Sequence, residues 1–257
     1  MLRNKGDMKM RRFENQVAVV TGSGRGLGKA FVERFAQEGA KVVVTDINEE
    51  ACIVVRDEII AAGGEAIAIA CDVTNRAQVA DMMKTVIETY GQIDVLVNNA
   101  GITRDASFMK MTDDQFDLVI NTNMKSMFIC TQEAVKYMFE RKYGRVINIS
   151  SLTGVAGNFG QTNYGAAKAG VIGMTKTWSK EFGRKGVTCN AIAPGFMMTE
   201  MTLTMKQEII DNLISQIPVG RGGDPKELAG AVAFLASGEA GFINGATLNI
   251  NGGTYCS

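Results

Sequence analysis

The run Thr21-Gly22-Ser23-Gly24-Arg25-Gly26-Leu27-Gly28 constrains this chain most, because of what stands on either side of it. Before it, Gln16 to Thr21 (QVAVVT) is a short β-branched segment with the character of a buried strand. After it, Ala30, Phe31, Arg34, Phe35 and Glu38 recur at helical spacing until Gly39 stops the pattern. Strand, glycine-rich turn and helix in that order open a nucleotide-binding unit. The glycines let the main chain approach a phosphate, and the helix offers it free N–H groups and a positive dipole end. The next strand, Lys41 to Thr45 (KVVVT), ends in Asp46, about 20 residues beyond the turn, where a carboxylate accepts hydrogen bonds from ribose hydroxyls. It also repels a 2′-phosphate, which favours NAD(H). Arg25 pulls the other way, since a guanidinium in the turn can hold that phosphate, so NADP(H) stays open.

The same alternation continues to the end of the chain. A helix from about Glu49 to Ala62 is capped by Gly63-Gly64, and Ala66 to Ala70 forms a third strand. It closes in Cys71-Asp72-Val73-Thr74, where Asp72 either reaches the adenine edge or caps the helix starting near Asn75. That helix ends at Gly91. A fourth strand, Asp94 to Val97, runs into Asn98-Asn99-Ala100-Gly101, whose amides either close a turn or meet a ligand. Gln115 to Lys142 is helical in pattern, and the polar Asn123 inside it marks a bend or a site. Arg145 to Ile149 is a fifth strand, and Val187 to Ala193 a sixth that ends in Pro194-Gly195. Phe196 to Gln216 carries Met197, Met198, Met201 and Met205, either a substrate lid or ordinary packing. Asp224-Pro225 opens a last helix to about Ala236, and Ala246 to Ile250 is a seventh strand. This α/β alternation predicts a single-domain Rossmann fold over 13–257, a doubly wound seven-stranded parallel sheet with helices on both faces. A basic, polar tail over 1–12, lacking the apolar segment of a secretory signal, precedes it.

The chain contains no histidine, so any general acid or base must be Tyr, Lys, Cys, Asp or Glu. This directs attention to Ser150 to Lys168 (SSLTGVAGNFGQTNYGAAK). A helix there puts Tyr164 and Lys168 on one face at i, i+4, and a held cation favours phenolate, lowering the phenol from about 10. Ser150 and Ser151 fall where the fifth strand ends, the side on which open α/β sheets bind ligands. Lys plus Arg and Asp plus Glu both number 27, which gives no reason for a nucleic-acid or membrane partner. No uncharged apolar run approaches the length of about 18 that a membrane helix requires. Five widely spaced cysteines without histidine predict reduced thiols in a cytoplasmic protein and no metal site.

In this order, Thr21 to Gly28, Asn98 to Gly101, Asn123, Ser151, Tyr164-Gly-Ala-Ala-Lys168 and Pro194-Gly195 resemble the classical short-chain dehydrogenase/reductase family, from about Phe13 to the end. The resemblance implies an enzyme with the catalytic set Asn123, Ser151, Tyr164 and Lys168. Tyr164 would exchange a proton with the substrate oxygen, Ser151 would hold that oxygen, Lys168 would tune the phenol and bind the nicotinamide ribose, and Asn123 would hold a water. It also implies cofactor contacts at Gly22, Ser23, Gly24, Arg25, Gly26, Leu27, Gly28, Asp46, Ile47, Asp72, Val73, Asn99, Ala100, Gly101, Pro194, Gly195, Met197 and Thr199, besides Tyr164 and Lys168.

Within the family, NNAGITRD (Asn98 to Asp105), GNFGQTNYGAAKAGVIGMTK (Gly157 to Lys176), NAIAPGFMMTEMT (Asn190 to Thr202) and the terminal NGGTY are most similar to the 3-oxoacyl-(acyl-carrier-protein) reductases of fatty-acid synthesis. That likeness implies a 3-oxoacyl thioester substrate, a homotetramer, and an acyl carrier protein partner docked at Lys142 and Lys185. Such reductases use NADPH and lack an acid where Asp46 stands. The departure leaves open an NAD-dependent secondary alcohol, polyol or hydroxyacyl-CoA dehydrogenase. A non-catalytic nucleotide-sensing scaffold is a third reading, expected to have lost one of the four polar residues.

Overall fold

The computed structural model describes residues 11–256. Seven parallel strands form one sheet in the order β3-β2-β1-β4-β5-β6-β7: β1 Val17–Thr21, β2 Lys41–Asp46, β3 Glu65–Ala70, β4 Val95–Asn98, β5 Gly144–Ile149, β6 Val187–Pro194 and β7 Thr247–Ile250. The helices are α1 Gly26–Gln37, α2 Glu49–Ala61, α3 Arg76–Tyr90, α4 Asp113–Ile120, α5 Ser126–Arg141, α6 Leu152–Ala156, α7 Thr162–Phe182, α8 Glu200–Leu203, α9 Gln207–Ser215 and α10 Pro225–Ala236.

The two-residue period of the strands explains the two layers. Ala18, Val20, Val42, Val44, Ile147 and Ile149 point to one face, where Phe31 and Phe35 of α1, Val55 of α2 and Leu228 of α10 cover them. Val17, Val19, Val43 and Val146 point to the other, under Met82 of α3, Ile129 of α5 and Trp178 of α7. Because both faces are covered, the inner strands read as unbroken apolar runs rather than alternating ones. The strand order reverses between β1, which pairs with β2 on one side and β4 on the other, and this opens a crevice at their carboxyl ends.

Several local expectations change. Of the tail expected over 1–12, residues 1–10 lie outside the described residues, whereas Arg12 is tied into the fold by Glu38 at 2.6 Å. Asp94 does not belong to β4. It is buried ahead of the strand, accepting from the Val17 N–H at 2.8 Å and pairing with Arg141 at 2.7 Å. The cap of α3 is Asn75, whose side chain accepts from the N–H groups of Ala77 and Gln78; Asp72 instead accepts from the Thr74 N–H and hydroxyl.

The expected helix from Gln115 to Lys142 starts earlier, behind a Thr112–Gln115 capping box, and is interrupted by a π-helical turn at Asn121–Lys125. The segment 152–159 begins with α6. Phe196 to Gln216 holds α8 and α9. Within it Met197 packs into the core and both Met197 and Met198 lie against Gly222 and Gly223, so these two serve packing; the Met201 side chain lies outside the described residues.

Candidate active site

The carboxyl ends of β1, β4, β5 and β6 gather the motif residues. At the end of β1, Gly22 and Gly26 take φ of +65° and +57°, angles a β-carbon strains against. Space excludes other residues from Gly28 and is tight at Gly24. A β-carbon on Gly28 would lie 2.2 Å from the Gly22 carbonyl oxygen, and one on Gly24 would meet Ala51 and Asp46 at 3.0 and 3.2 Å. The helix behind this turn is left open for a ligand: α1 has no side-chain cap and no acid in its first turn, whereas α2 and α3 are capped by Asn48 and Asn75. A bare helix N-terminus with positive dipole, over a turn in which main chain replaces side chains, fits the pyrophosphate of a dinucleotide.

The residues around the turn divide into those that build it and those that face outward. Ser23 is fully buried; its hydroxyl donates to the Val20 carbonyl at 2.7 Å and accepts from the Thr45 N–H at 2.9 Å, clamping β1 to β2. Asn99 donates to the carbonyls of Thr21 and Gly22, at 2.9 and 3.0 Å, and the Thr21 hydroxyl accepts from the N–H groups of Asn99 and Ala100. Asn98 points elsewhere, into a buried chain through Asn148 to Thr175 with links of 2.8 Å. Asp46 is half-buried beside Gly24, Ile47 and Arg25 are exposed, and Val73 is buried behind Asp72. At the other end of the crevice, Gly195 is pressed against Asn251 and Thr199 is bonded to Thr202.

The second cluster centres on α7. Ser150 and Ser151 part company: the Ser150 hydroxyl is buried and donates to the Lys168 carbonyl at 2.8 Å, while Ser151 caps α6 and its hydroxyl acts on the Tyr164 phenol, favouring the ionised form. Lys168, 3% exposed, donates to the Ile149 carbonyl at 2.7 Å, and its nitrogen sits 5.6 Å from the Tyr164 ring centroid. Burial pushes the ammonium down to about 8. Burial likewise raises the phenol of Tyr164, against the hydrogen bond from Ser151, with the negative charge of Asp105 adding to the rise. The expectation that Lys168 pulls the phenol below 10 is therefore corrected: desolvation outweighs it, and the phenol holds its proton.

Asn123 sits in the π turn, fully buried, and both ends of its amide are taken by Ile102, each at 2.8 Å. Its side chain anchors the loop after β4. π turns recur at functional sites, and this one places the loop over Tyr164. Burial pushes the thiols of Cys52 and Cys71 up to about 11 and that of Cys189 to about 12, which removes them as nucleophiles at neutral pH.

Three residues passed over in the sequence belong to this neighbourhood. Asn163 is fully buried, accepts from the Tyr164 N–H at 2.8 Å and donates to the carbonyls of Arg104 and Gln115. Asp105 accepts from Gln161 at 2.9 Å. For Asn163 and Gln161 the available signal was position, polar residues within three of Tyr164 at a helix start; Asp105, distant along the chain, is brought there by the fold. Lys142 and Lys185 adjoin one another, since the Lys142 carbonyl touches Gly186, but they precede β5 and β6. They therefore lie at the end of the sheet opposite Tyr164 of the same chain.

A family model described as enoyl-(acyl carrier protein) reductase matches residues 22–255. The chain is 45% identical to the 3-oxoacyl-[acyl-carrier-protein] reductase FabG of Thermotoga maritima over 242 residues, 94% of this chain and 98% of that one. The 3-oxoacyl-[acyl-carrier-protein] reductase of Synechocystis is 48% identical over 93% of this chain and 96% of its own. FabG of Escherichia coli is 41% identical over 95% and 98%.

Proposed function

The chain belongs to the short-chain dehydrogenase/reductase family, and from that premise we propose that it is a 3-oxoacyl-(acyl-carrier-protein) reductase of fatty-acid synthesis. It reduces a 3-oxoacyl thioester to the 3-hydroxyacyl thioester with a nicotinamide cofactor. The observation that carries this is the Ser151 hydroxyl and the Tyr164 phenol set side by side next to buried Lys168, at the carboxyl edge of the sheet. The family model's description names an enoyl reductase, but reduction of a carbonyl is what a hydroxyl pair of this kind serves. A proton must reach an oxygen on which negative charge develops, and a second donor must hold that oxygen. The near-full-length relatives point the same way by name.

The cofactor supplies the hydride. Tyr164, a phenol that is protonated at neutral pH and that burial raises further, gives its proton to the carbonyl oxygen, and Ser151 donates to that oxygen. Lys168 has one N–H committed to Ile149 and two left for ribose hydroxyls. The main chain from Gly22 to Gly28 holds the pyrophosphate. Asp46 takes the adenosine ribose, with Ile47, Asp72 and Val73 around the adenine. Asn99, Ala100 and Gly101 line the middle of the crevice, and Pro194, Gly195, Met197 and Thr199 the nicotinamide end. The carboxylate of Asp46 beside Gly24 supports NADH over NADPH; Arg25, which makes no ion pair among the described residues, is the group a 2′-phosphate would otherwise use.

An acyl thioester suits the mouth of the site better than a polyol does. Phe159, 90% exposed, and Phe108 and Met109, 74% and 89% exposed, stand on the two loops flanking Tyr164 and give it an apolar lip. A homotetramer is the assembly we propose, and the exposed apolar side chains on α4 and α5 (Phe116, Leu118, Phe128), on α10 (Phe234) and at or before β7 (Phe242, Leu248) are candidates for its contacts. No helix among the described residues is long and apolar enough to cross a membrane.

The test is a panel of initial rates: NADH and NADPH, each with an acetoacetyl thioester, and NAD with free secondary alcohols and polyols. Fast thioester reduction with NADH supports the reading. Oxidation of the alcohols with no thioester reduction would replace it with the dehydrogenase alternative, and cofactor binding without turnover on any substrate with the scaffold.

A further inference from the structure

Resting on the reductase reading, we propose that Asp105 is a positioning residue: through Gln161 and Thr153 it sets the Ser151 hydroxyl against the Tyr164 phenol. The links run in one direction. A carboxylate only accepts hydrogen bonds, so Asp105 takes the Gln161 side-chain N–H at 2.9 Å. That fixes which way the Gln161 amide faces, and its oxygen accepts from the Thr153 hydroxyl at 3.0 Å and from Asn158 at 3.1 Å. Thr153 lies in the first turn of α6, and its main-chain N–H donates to the Ser151 oxygen at 3.2 Å. With an N–H pointing into that oxygen, the Ser151 hydroxyl proton is left to donate toward Tyr164. The same two loops are fastened again by the Ala106 N–H on the Gly160 carbonyl at 2.9 Å.

Without the acid, the Gln161 amide loses one of the two groups that fix its orientation, Asn158 alone remaining, and the first turn of α6 that carries Thr153 against Ser151 is held less firmly. Asp105 also acts on Tyr164 by its charge, disfavouring phenolate. The other charged groups nearby are Lys168, one turn along α7, and Arg104, whose guanidinium donates to the Thr103 carbonyl. Geometry and charge can therefore be separated by substitution. Asp105→Ala removes both, whereas Asp105→Asn keeps an accepting oxygen and removes only the charge.

The experiment compares the full-length parent, Asp105→Ala, Asp105→Asn and Gln161→Leu. For Asp105→Ala and Gln161→Leu, kcat with an acetoacetyl thioester should fall about 10- to 100-fold, the cost of a misplaced catalytic group, with KM for the cofactor unchanged. Asp105→Asn should recover most of that loss. In Gln161→Leu, which breaks the relay and leaves the charge of Asp105 in place, the Tyr164 ring signal, followed by NMR on isotope-labelled tyrosine and assigned with Tyr164→Phe, should titrate at higher pH than in the parent, because the Ser151 hydroxyl that favours phenolate is displaced. Parent-like kcat in Asp105→Ala, or a Tyr164 titration that does not move in Gln161→Leu, overturns the proposal. If the parent fails to reduce thioesters, the reductase reading falls, but the titration still decides the role of Asp105 because it needs no substrate.

Discussion

The two ends of the crevice achieve function by opposite means. Around β1, recognition is built from main chain: glycines bring the backbone close, Ser23 and Asn99 spend their side chains holding the turn, and the bare start of α1 faces the ligand. Around α7, side chains carry the chemistry, and buried hydrogen bonds hold each of them to the backbone, as Lys168 to Ile149 and Asn123 to Ile102. The difference teaches where each half is fragile. The nucleotide end should fail when a β-carbon is added, and the catalytic end when a polar atom is removed.

The largest effect should come from Gly28→Val, which drives a side chain into the Gly22 carbonyl and Asn99. Cofactor binding should be lost, read by fluorescence titration, and unchanged affinity would break the contrast. Next, Ser151→Ala and Ser150→Ala separate neighbours of the same type. Ser151→Ala should lower kcat about 100-fold, the scale of a lost donor to a developing oxyanion. Ser150→Ala should leave turnover largely intact and cost about 1 kcal/mol of stability, the net worth of one hydrogen bond. Equal losses of turnover would erase the distinction.

Smaller again is Asp46→Ala, which should reduce the NADH to NADPH preference measured as a ratio of kcat/KM, the carboxylate being the group that repels a 2′-phosphate. An unchanged ratio would place the selectivity elsewhere. The smallest effect concerns stability and pH. Burial holds Lys168 at about 8 in the folded chain against 10.5 when unfolded, so the unfolded chain binds more protons between those values. This group's contribution to stability therefore rises with pH across that window and is flat below it. In Lys168→Met the rise should vanish, and urea unfolding along a pH series should show the parent gaining on the variant from about pH 8 upward. A constant difference would contradict burial as the cause.

Much of this was legible in the sequence because it is periodic or sterically forced. The strands alternate in twos, the glycine turn admits no substitute, and Tyr164 and Lys168 lie one helical turn apart. What escaped depends on contacts between distant segments. Nothing local distinguishes Ser150 from Ser151 or Asn98 from Asn99; only the packing of α7 against β5, and of β4 against β1, decides which one is structural. The π turn at Asn123 and the helical start of 152–159 are likewise set by tertiary ties, to Ile102 and through Gln161. Burial also reversed the sign expected for the Tyr164 phenol, since neighbour spacing shows a cation but not the desolvation opposing it.

The central claim is that a single phenol moves the proton while the cofactor is held elsewhere. Its most direct test is Tyr164→Phe, with cofactor affinity and turnover of an acetoacetyl thioester measured on the same preparation. The account predicts parent-like cofactor binding, an intact fold and a loss of nearly all turnover. Turnover close to that of the parent would contradict it.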